Sequence, residues 1–422
     1  MLSTAKWVSS ALVAIVAAMG ASHQASAATI ASLGHASGAQ CGANDVNDAG
    51  VAVGACRPGN TNGPTVAWIA VAGAEVSLAP LVAGHSCSAS GITNGGRIAG
   101  ACADANSVGF AVSWSASSPA TTPVKLAPLP GLLGTGLLAD VSSVATAYNQ
   151  FGAIAGQSIA GNGTSTAVVW PAGSGTPVPV SARGDNCAAV DVRAQTVAGN
   201  PTVLLNCPSG SGTVVSRIAT LNAFGVYVTS DLAKFSTATY CVAGPINASS
   251  QVVGKCVFPA PPFARAAVWF STASSAAVLS LPNFPGDTVG QASTGLALND
   301  GHHMVFRYRT SDGRSNAGYI NLASGTPDFN VPIDLPALHP GTNVVATGLG
   351  ANDLVLVMGV NDDEHGQAAV WDPATPTVLT PVPLYGGGTG NAVTSMSSSG
   401  SYAVGVAVDS GHVANAVVVT LP

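Results

Sequence analysis

The residues with the most chemical potential are eight cysteines: Cys41, Cys56, Cys87, Cys102, Cys187, Cys207, Cys241 and Cys256. Taken two at a time along the chain, three of the four pairs share a separation of 15 residues. Thiols so placed can oxidise to a disulfide or hold a soft metal. Zinc sites use Cys-x-x-Cys-like spacing, and none occurs. In an antiparallel hairpin, opposed residues are equidistant from the turn. The midpoint of Cys41 and Cys56 falls within Asn47-Asp48-Ala49-Gly50. That of Cys87 and Cys102 falls between Asn94 and Gly95, and that of Cys241 and Cys256 within Asn247–Ser250. Each pair therefore faces across a hairpin, at non-hydrogen-bonded positions where side chains come closest. Cys187 and Cys207 fit this spacing less well and are the remaining pair. The pattern predicts four structural disulfides and an oxidising compartment.

Other chemistry-bearing residues are weaker. Gly84-His85-Ser86-Cys87-Ser88 is not Gly-x-Ser-x-Gly and lacks the helix that a nucleophile elbow needs. Asn361-Asp362-Asp363-Glu364-His365 is the densest charge in the chain, but it lacks the alternating Asp-x-Asp spacing of a calcium loop. It reads as a solvated hairpin turn. His302 and His303 are adjacent on a predicted hairpin, so they point to opposite faces and do not share a metal. A glycosidase needs paired carboxylates, yet the only glutamates are Glu75 and Glu364, and most aspartates sit at turns. Trp68, Trp114, Trp170, Trp269 and Trp371 recur at one repeat position, which points to packing rather than ligand stacking. No catalytic, cofactor or metal-binding residue is expected.

The elements that would position these residues are repeats. One pattern recurs: a small and an apolar residue, Asn, a Gly-rich turn, then apolar-x-Gly. A small-apolar-x-Trp segment follows, and then a Leu-x-x-Leu or similar run. Ala43–Gly54 leads to Val66-Ala67-Trp68 and Leu78-Ala79-Pro80-Leu81. Ala89–Gly100 leads to Phe110–Trp114 and Leu126-Ala127-Pro128-Leu129. Ala147–Gly156 leads to Ala167–Trp170, and Ile246–Gly254 leads to Ala267-Val268-Trp269 and Leu279-Ser280-Leu281. Weaker copies run from Val190-Asp191 to Ala198-Gly199, from Leu298 to Tyr319, from Ala351 to Trp371 and from Ser395 to Val418. From Gly54 to Gly405 the mean period is about 50 residues.

Each copy holds four short apolar or alternating runs split by Gly, Asn, Asp, Ser or Pro, which is a strand-and-turn signature. Nothing after the first residues keeps a helical period. Four strands per 50-residue unit predict an all-β propeller of about eight blades, seven being the alternative count. One blade cannot bury both faces alone, and radial stacking buries them. Thr29–Leu33 resembles a fourth strand such as Val76–Leu81, and the last repeat ends after its third strand at Val413–Leu421. The first strand is thus expected to complete the last blade. An open array of β-sandwiches, the other architecture weighed, gives no reason for that split.

Composition narrows the partners. Charged residues make up 8% of the chain, against roughly 25% in average soluble proteins. The apolar share is 47%, which argues against disorder. The formal net charge is −6, so nucleic acid is a poor partner, because neutralising phosphates takes many cations. Residues 1–27 read as a signal peptide: Lys6, an apolar stretch from Val8 to Gly20, and Ala25-Ser26-Ala27 before the cut. That stretch is too short to span a bilayer, and no later run is apolar enough. Residues 28–422 read as one domain, a monomer secreted to the periplasm or the exterior.

The repeat resembles the bacterial extracellular HAF-repeat family, whose units carry Asn-x-x-Gly-x-apolar-x-Gly followed by a His-Ala-Phe-x-Trp-like strand. The Asn-to-Gly segment and the Trp recur over nearly the whole chain. The family's His does not: its place holds Pro64, Phe110, Thr166, Arg265, Asn316, Gln367 and Asn415. The resemblance implies a divergent, exported, propeller-like member and no reaction. A non-catalytic module for a polar ligand, a glycan or a protein partner, is the expected function. A hydrolase or lyase at the central channel is the alternative, and it would bring two carboxylates or a His together at one ring face.

Overall fold

A computed structural model of the chain describes residues 28–34, 39–59, 63–131, 138–193, 201–261, 263–278, 292–310, 312–322 and 332–422. The leader assigned to residues 1–27 and the runs Leu279-Ser280-Leu281 and Ala198-Gly199 lie outside these. Among the described residues the strands form eight four-stranded antiparallel sheets, without a helix. This is the eight-bladed propeller that the repeats predict. The blades open with first strands Gln40–Val46, Cys87–Ile92, Asp140–Tyr148, Ala188–Val192, Tyr240–Ile246, Ser293–Leu298, Val345–Leu349 and Gly390–Met396. They are numbered one to eight in that order. First strands touch the first strands of the next blade round most of the ring, the eighth against the first included, so they line the axis.

The ring closes as the split strand requires. Thr29–Ser32 pairs antiparallel with Val417–Thr420 as the outermost strand of blade eight. The outermost strands are shorter than the Leu-x-x-Leu runs suggest. In blade one that strand is Ala74–Ser77 and stops before Leu78-Ala79-Pro80-Leu81. Pro80 has no N–H for a ladder, and Leu78 instead turns inward and is buried.

The core lies between blades. Val53, Ala67 and Ile69 of blade one pack on Ile92, Ile98 and Trp114 of blade two. Ala99, Ala111 and Leu126 of blade two pack on Ile154, Val168 and Trp170 of blade three. The five repeat tryptophans, Trp68, Trp114, Trp170, Trp269 and Trp371, are buried at seams between blades, as their regular spacing predicts. Three indoles also donate backwards across a seam: Trp114 to the carbonyl of Ala79 at 2.7 Å, Trp170 to Ala127 at 2.9 Å and Trp269 to Ala233 at 2.8 Å.

The repeated Asn has two tasks. Asn47 Oδ1 accepts from the N–H groups of Ala49 (3.1 Å) and Val51 (3.0 Å), closing the turn between the first two strands. Its Nδ2 donates to the Thr93 carbonyl of the next blade at 3.2 Å. Asn149 does the same to Arg193, Asn247 to Asn299, and Asn299 to Gly350. Three residues after the Asn the turn needs φ near +70°, which glycine adopts without strain. Gly50, Gly96 and Gly152 fill that place, while Ser250, His302 and Asp353 occupy it at φ of 64–66°.

The four disulfides join the expected partners. Cys41 faces Cys56, Cys87 faces Cys102 and Cys241 faces Cys256 in direct register between first and second strands. Cα separations of 4.0–4.1 Å belong to the close class of antiparallel pair. Asp185 lies beside Cys187 and Cys207, but sulfurs joined to each other offer no thiolate to a metal.

Candidate functional site

Two places bring chemistry-bearing side chains together. The first is the axis. In every first strand the register slips at or just before one position, which holds Asp45, Gly91, Ala147, Asp191, Pro245, Ala297, Gly348 and Ser395 in order round the ring. A bulge bends the strand and re-aims the next side chain. Most of these residues are small, and two are aspartates.

Asp45 accepts from the backbone N–H of Ile92 at 2.7 Å and from Ser395 Oγ at 3.0 Å. The Tyr148 hydroxyl also donates to it. Burial raises the Asp45 carboxyl above its ordinary value, and these donors pull it back only in part. Burial and the Asp45 charge push the Tyr148 phenol well up. Asp191 accepts from Ile246 N–H at 2.9 Å and Val192 N–H at 2.8 Å, and burial raises its carboxyl too. It keeps some accessible surface although protein surrounds it, as a residue lining a narrow channel would. Asp45 has both oxygens engaged by donors from other blades, and Asp191 has one engaged by Ile246 of blade five and the other by its own neighbour Val192. The arrangement fits latches between blades.

The second place is a groove of about 530 Å³ between blades two and three, on the face that carries the first turns. That volume lies in the range of small-ligand sites. Its walls are the turn Thr93–Arg97, the strand end Ser113–Ser115, the loop with Ser118, Thr121 and Thr122, and the turn Gln150–Gly152. Trp114 forms part of the wall, held by its bond to Ala79. The hydroxyls of Ser118, Thr121 and Thr122 are exposed, and among the described residues none has a hydrogen-bond partner in the protein. Gln150 Oε1 accepts from Asn94 N–H at 2.8 Å, which leaves its amide nitrogen to the groove.

Phe151 stands on the rim and is 48% exposed. Equivalent turn positions hold Ala49, Gly95, Ser249 and Gly301, so blade three alone among these presents an aromatic ring. The recurring tryptophans drew attention to regular aromatics. The informative one breaks the rule, and its signal was a large residue where the repeat keeps a small one.

The remaining sequence candidates stay apart. Ser86 Oγ accepts from Thr65 N–H at 3.0 Å, and its neighbour Cys87 is in a disulfide, so no nucleophile is assembled there. His302 bonds Gln251 of blade five at 2.7 Å, and His303 bonds Asp353 of blade seven at 2.5 Å. They face opposite blades, as alternation requires. The run 361–365 is an exposed hairpin turn closed by Asn361, whose Oδ1 accepts from Asp363 and His365 N–H. Glu75 lies on the outermost strand of blade one and Glu364 in that turn of blade seven, so the glutamates do not meet.

No family model matches the sequence, and no curated protein is significantly similar to it. Solved structures share the architecture. A prolyl endopeptidase structure aligns with TM-score 0.51 and 13% identity over 81% of this chain and 48% of that one. A post-proline cleaving enzyme from Rickettsia typhi aligns with TM-score 0.50 and 9% identity, over 87% and 56%. A puromycin-hydrolyzing peptidase of Mycobacterium tuberculosis gives TM-score 0.43 and 14% identity, over 87% and 49%. The chain spans about half the length of these structures. At such identities the likeness to the prolyl endopeptidase and to the Rickettsia typhi enzyme is one of fold alone.

Proposed function

We propose that the chain is exported and acts as a non-catalytic binding module whose ligand is a glycan. The observation that carries this reading is Phe151, an exposed ring on the rim of a groove whose wall also offers the uncommitted hydroxyls of Ser118, Thr121 and Thr122 and the Gln150 amide. The C–H face of a sugar packs on an aromatic ring, and its hydroxyls pair with Ser, Thr and Gln. Four disulfides and the leader-like residues 1–27 support an oxidising destination. The double task of the repeat Asn and the seam position of the Trp support kinship with the HAF-repeat family, since these two positions carry the resemblance. The engaged oxygens of Asp45 and Asp191 weigh against hydrolysis at the axis.

The test is binding of the mature protein to a panel of soluble neutral and acidic polysaccharides by affinity electrophoresis. Retardation by at least one, weakened about tenfold or more in Phe151→Ala with an unchanged melting temperature, is the expected result. No retardation across the panel would sink the glycan reading.

A further inference from the structure

Arg97 is the only charged residue lining the groove among the described residues. It occupies the turn position that holds Val51, Ala153 and Leu354 in other blades. Its guanidinium crosses to blade three. Nη1 donates to the carbonyls of Gly152 and, at 3.0 Å, of Pro171. Nη2 donates to the Ser174 carbonyl at 2.9 Å and to Ser113 Oγ at 3.3 Å. All four acceptors are neutral. Nε makes no hydrogen bond among the described residues.

Burial alone perturbs this group, and no nearby carboxylate acts on it. Among the described residues Arg183, Arg217 and Arg314 pair with carboxylates. Arg97 does not, and it is the cation that faces the groove. The clamp fixes the guanidinium in place and takes up its four terminal hydrogens, leaving Nε–H, but it does not cancel the charge. The groove therefore holds a fixed positive charge beside free hydroxyls and an aromatic rim.

We propose that the groove selects carboxylate-bearing sugars, with Arg97 supplying the counter-charge to the acid group. This rests on the glycan reading above and adds the chemical class of the ligand. The sugar ring packs on Phe151, its hydroxyls meet Ser118, Thr121, Thr122 and Gln150, and its carboxylate points to the Arg97 side. Neutralising the ligand's acid removes the attraction and leaves the other contacts. Partial exposure makes the attraction salt-sensitive.

Calorimetric titration of the mature protein with tetragalacturonate and with its methyl ester tests this. A second pair, sialyllactose against lactose, separates a sialate from a hexuronate as the source of the acid. The acid form of at least one pair should bind about tenfold or more tighter than its neutral partner. That preference should shrink as salt rises from about 20 to about 200 mM. Arg97→Gln should abolish that preference. Because that variant also loosens the clamp, Thr122→Glu serves as a second probe: it keeps Arg97, sits on an exposed loop, and should reverse the preference. Equal affinity within both pairs overturns the proposal while the glycan reading stands. Binding to none of these sugars or to the wider panel overturns both.

Discussion

Tyr148 of blade three reaches over blade two and donates its hydroxyl to Asp45 of blade one. The passage is open because residue 91 is glycine: a Cβ there would lie 2.1 Å from the Tyr148 ring. Gly91→Ala is therefore expected to cost about 1–3 kcal/mol through forced displacement of the ring. Tyr148→Phe removes one donor from a buried carboxylate and should cost a similar amount. In the double variant the two costs should fall well short of adding, since each breaks the same contact. Urea unfolding of the four proteins checks this, and simple additivity would show that the glycine serves some other purpose.

The aspartates predict opposite pH limbs. Asp45 and Asp191 have carboxyls raised above the ordinary 3.8, first by burial, so the folded state holds their protons more tightly than the unfolded one. Their contribution to stability is full below that value and is lost as pH rises through the raised one. At Asp48, burial pushes upward, but donors from Ser399, Ser398 and Asn94 outweigh it and hold the carboxyl below 3.8. Its contribution is present above that value and is lost as pH falls through the lowered one. Asp45→Asn should flatten the decline in melting temperature above about pH 4, and Asp48→Asn the decline below it. Melting curves from pH 2 upward that match wild type in both variants would contradict the assignment.

Each disulfide closes a short hairpin loop of 15 or 20 residues. The chain-entropy relation gives about 3 kcal/mol for such loops. Replacing both Cys41 and Cys56 by Ala should lower the unfolding free energy by about that amount, and replacing Cys187 and Cys207 by nearly the same. A non-reducing peptide map should find every bridge within one blade. Bridges between blades would refute the register.

Asn149 accepts from Phe151 and Ala153 and donates to Arg193 of the next blade. Blade two manages with Thr93, whose Oγ1 accepts from Arg97 N–H at 3.0 Å. Asn149→Thr should keep the turn and lose only the link to blade four, whereas Asn149→Ala loses both. The expected costs are about 1 and about 2–3 kcal/mol. Equal losses on thermal unfolding would mean the turn-closing bonds contribute nothing, and no loss in Asn149→Thr would mean the seam bond contributes nothing.

The ring was legible because its causes are local and repeated. Asn, the residue at positive φ and the Trp each act the same way in blade after blade, so periodicity exposes them. The disulfides followed from the hairpin turns. The axial bond of Tyr148 to Asp45 escaped because it joins residues from blades that are not neighbours, and it depends on a missing Cβ between them. The groove escaped for a related reason. Phe151, Arg97 and Thr122 come from three segments of two blades, and each departs from the repeat only at its own position. Sequence periodicity reports what blades share, and binding surfaces arise where they differ.

The closing strand also sets how the ring responds to force. Thr29 faces Thr420, so the two ends of the described chain leave the eighth blade side by side. Traction on both ends loads this pairing at one end of a four-residue strand. Antiparallel partners pulled that way separate rung by rung, like a zip, instead of sliding as a block. Past them stand the contacts between the last blade and the first, among them Ser395 to Asp45, 350 residues apart in sequence. A tether at either end would thus open the circle at this one place, at low load, while the bridged hairpins of blades one, two, four and five stay shut.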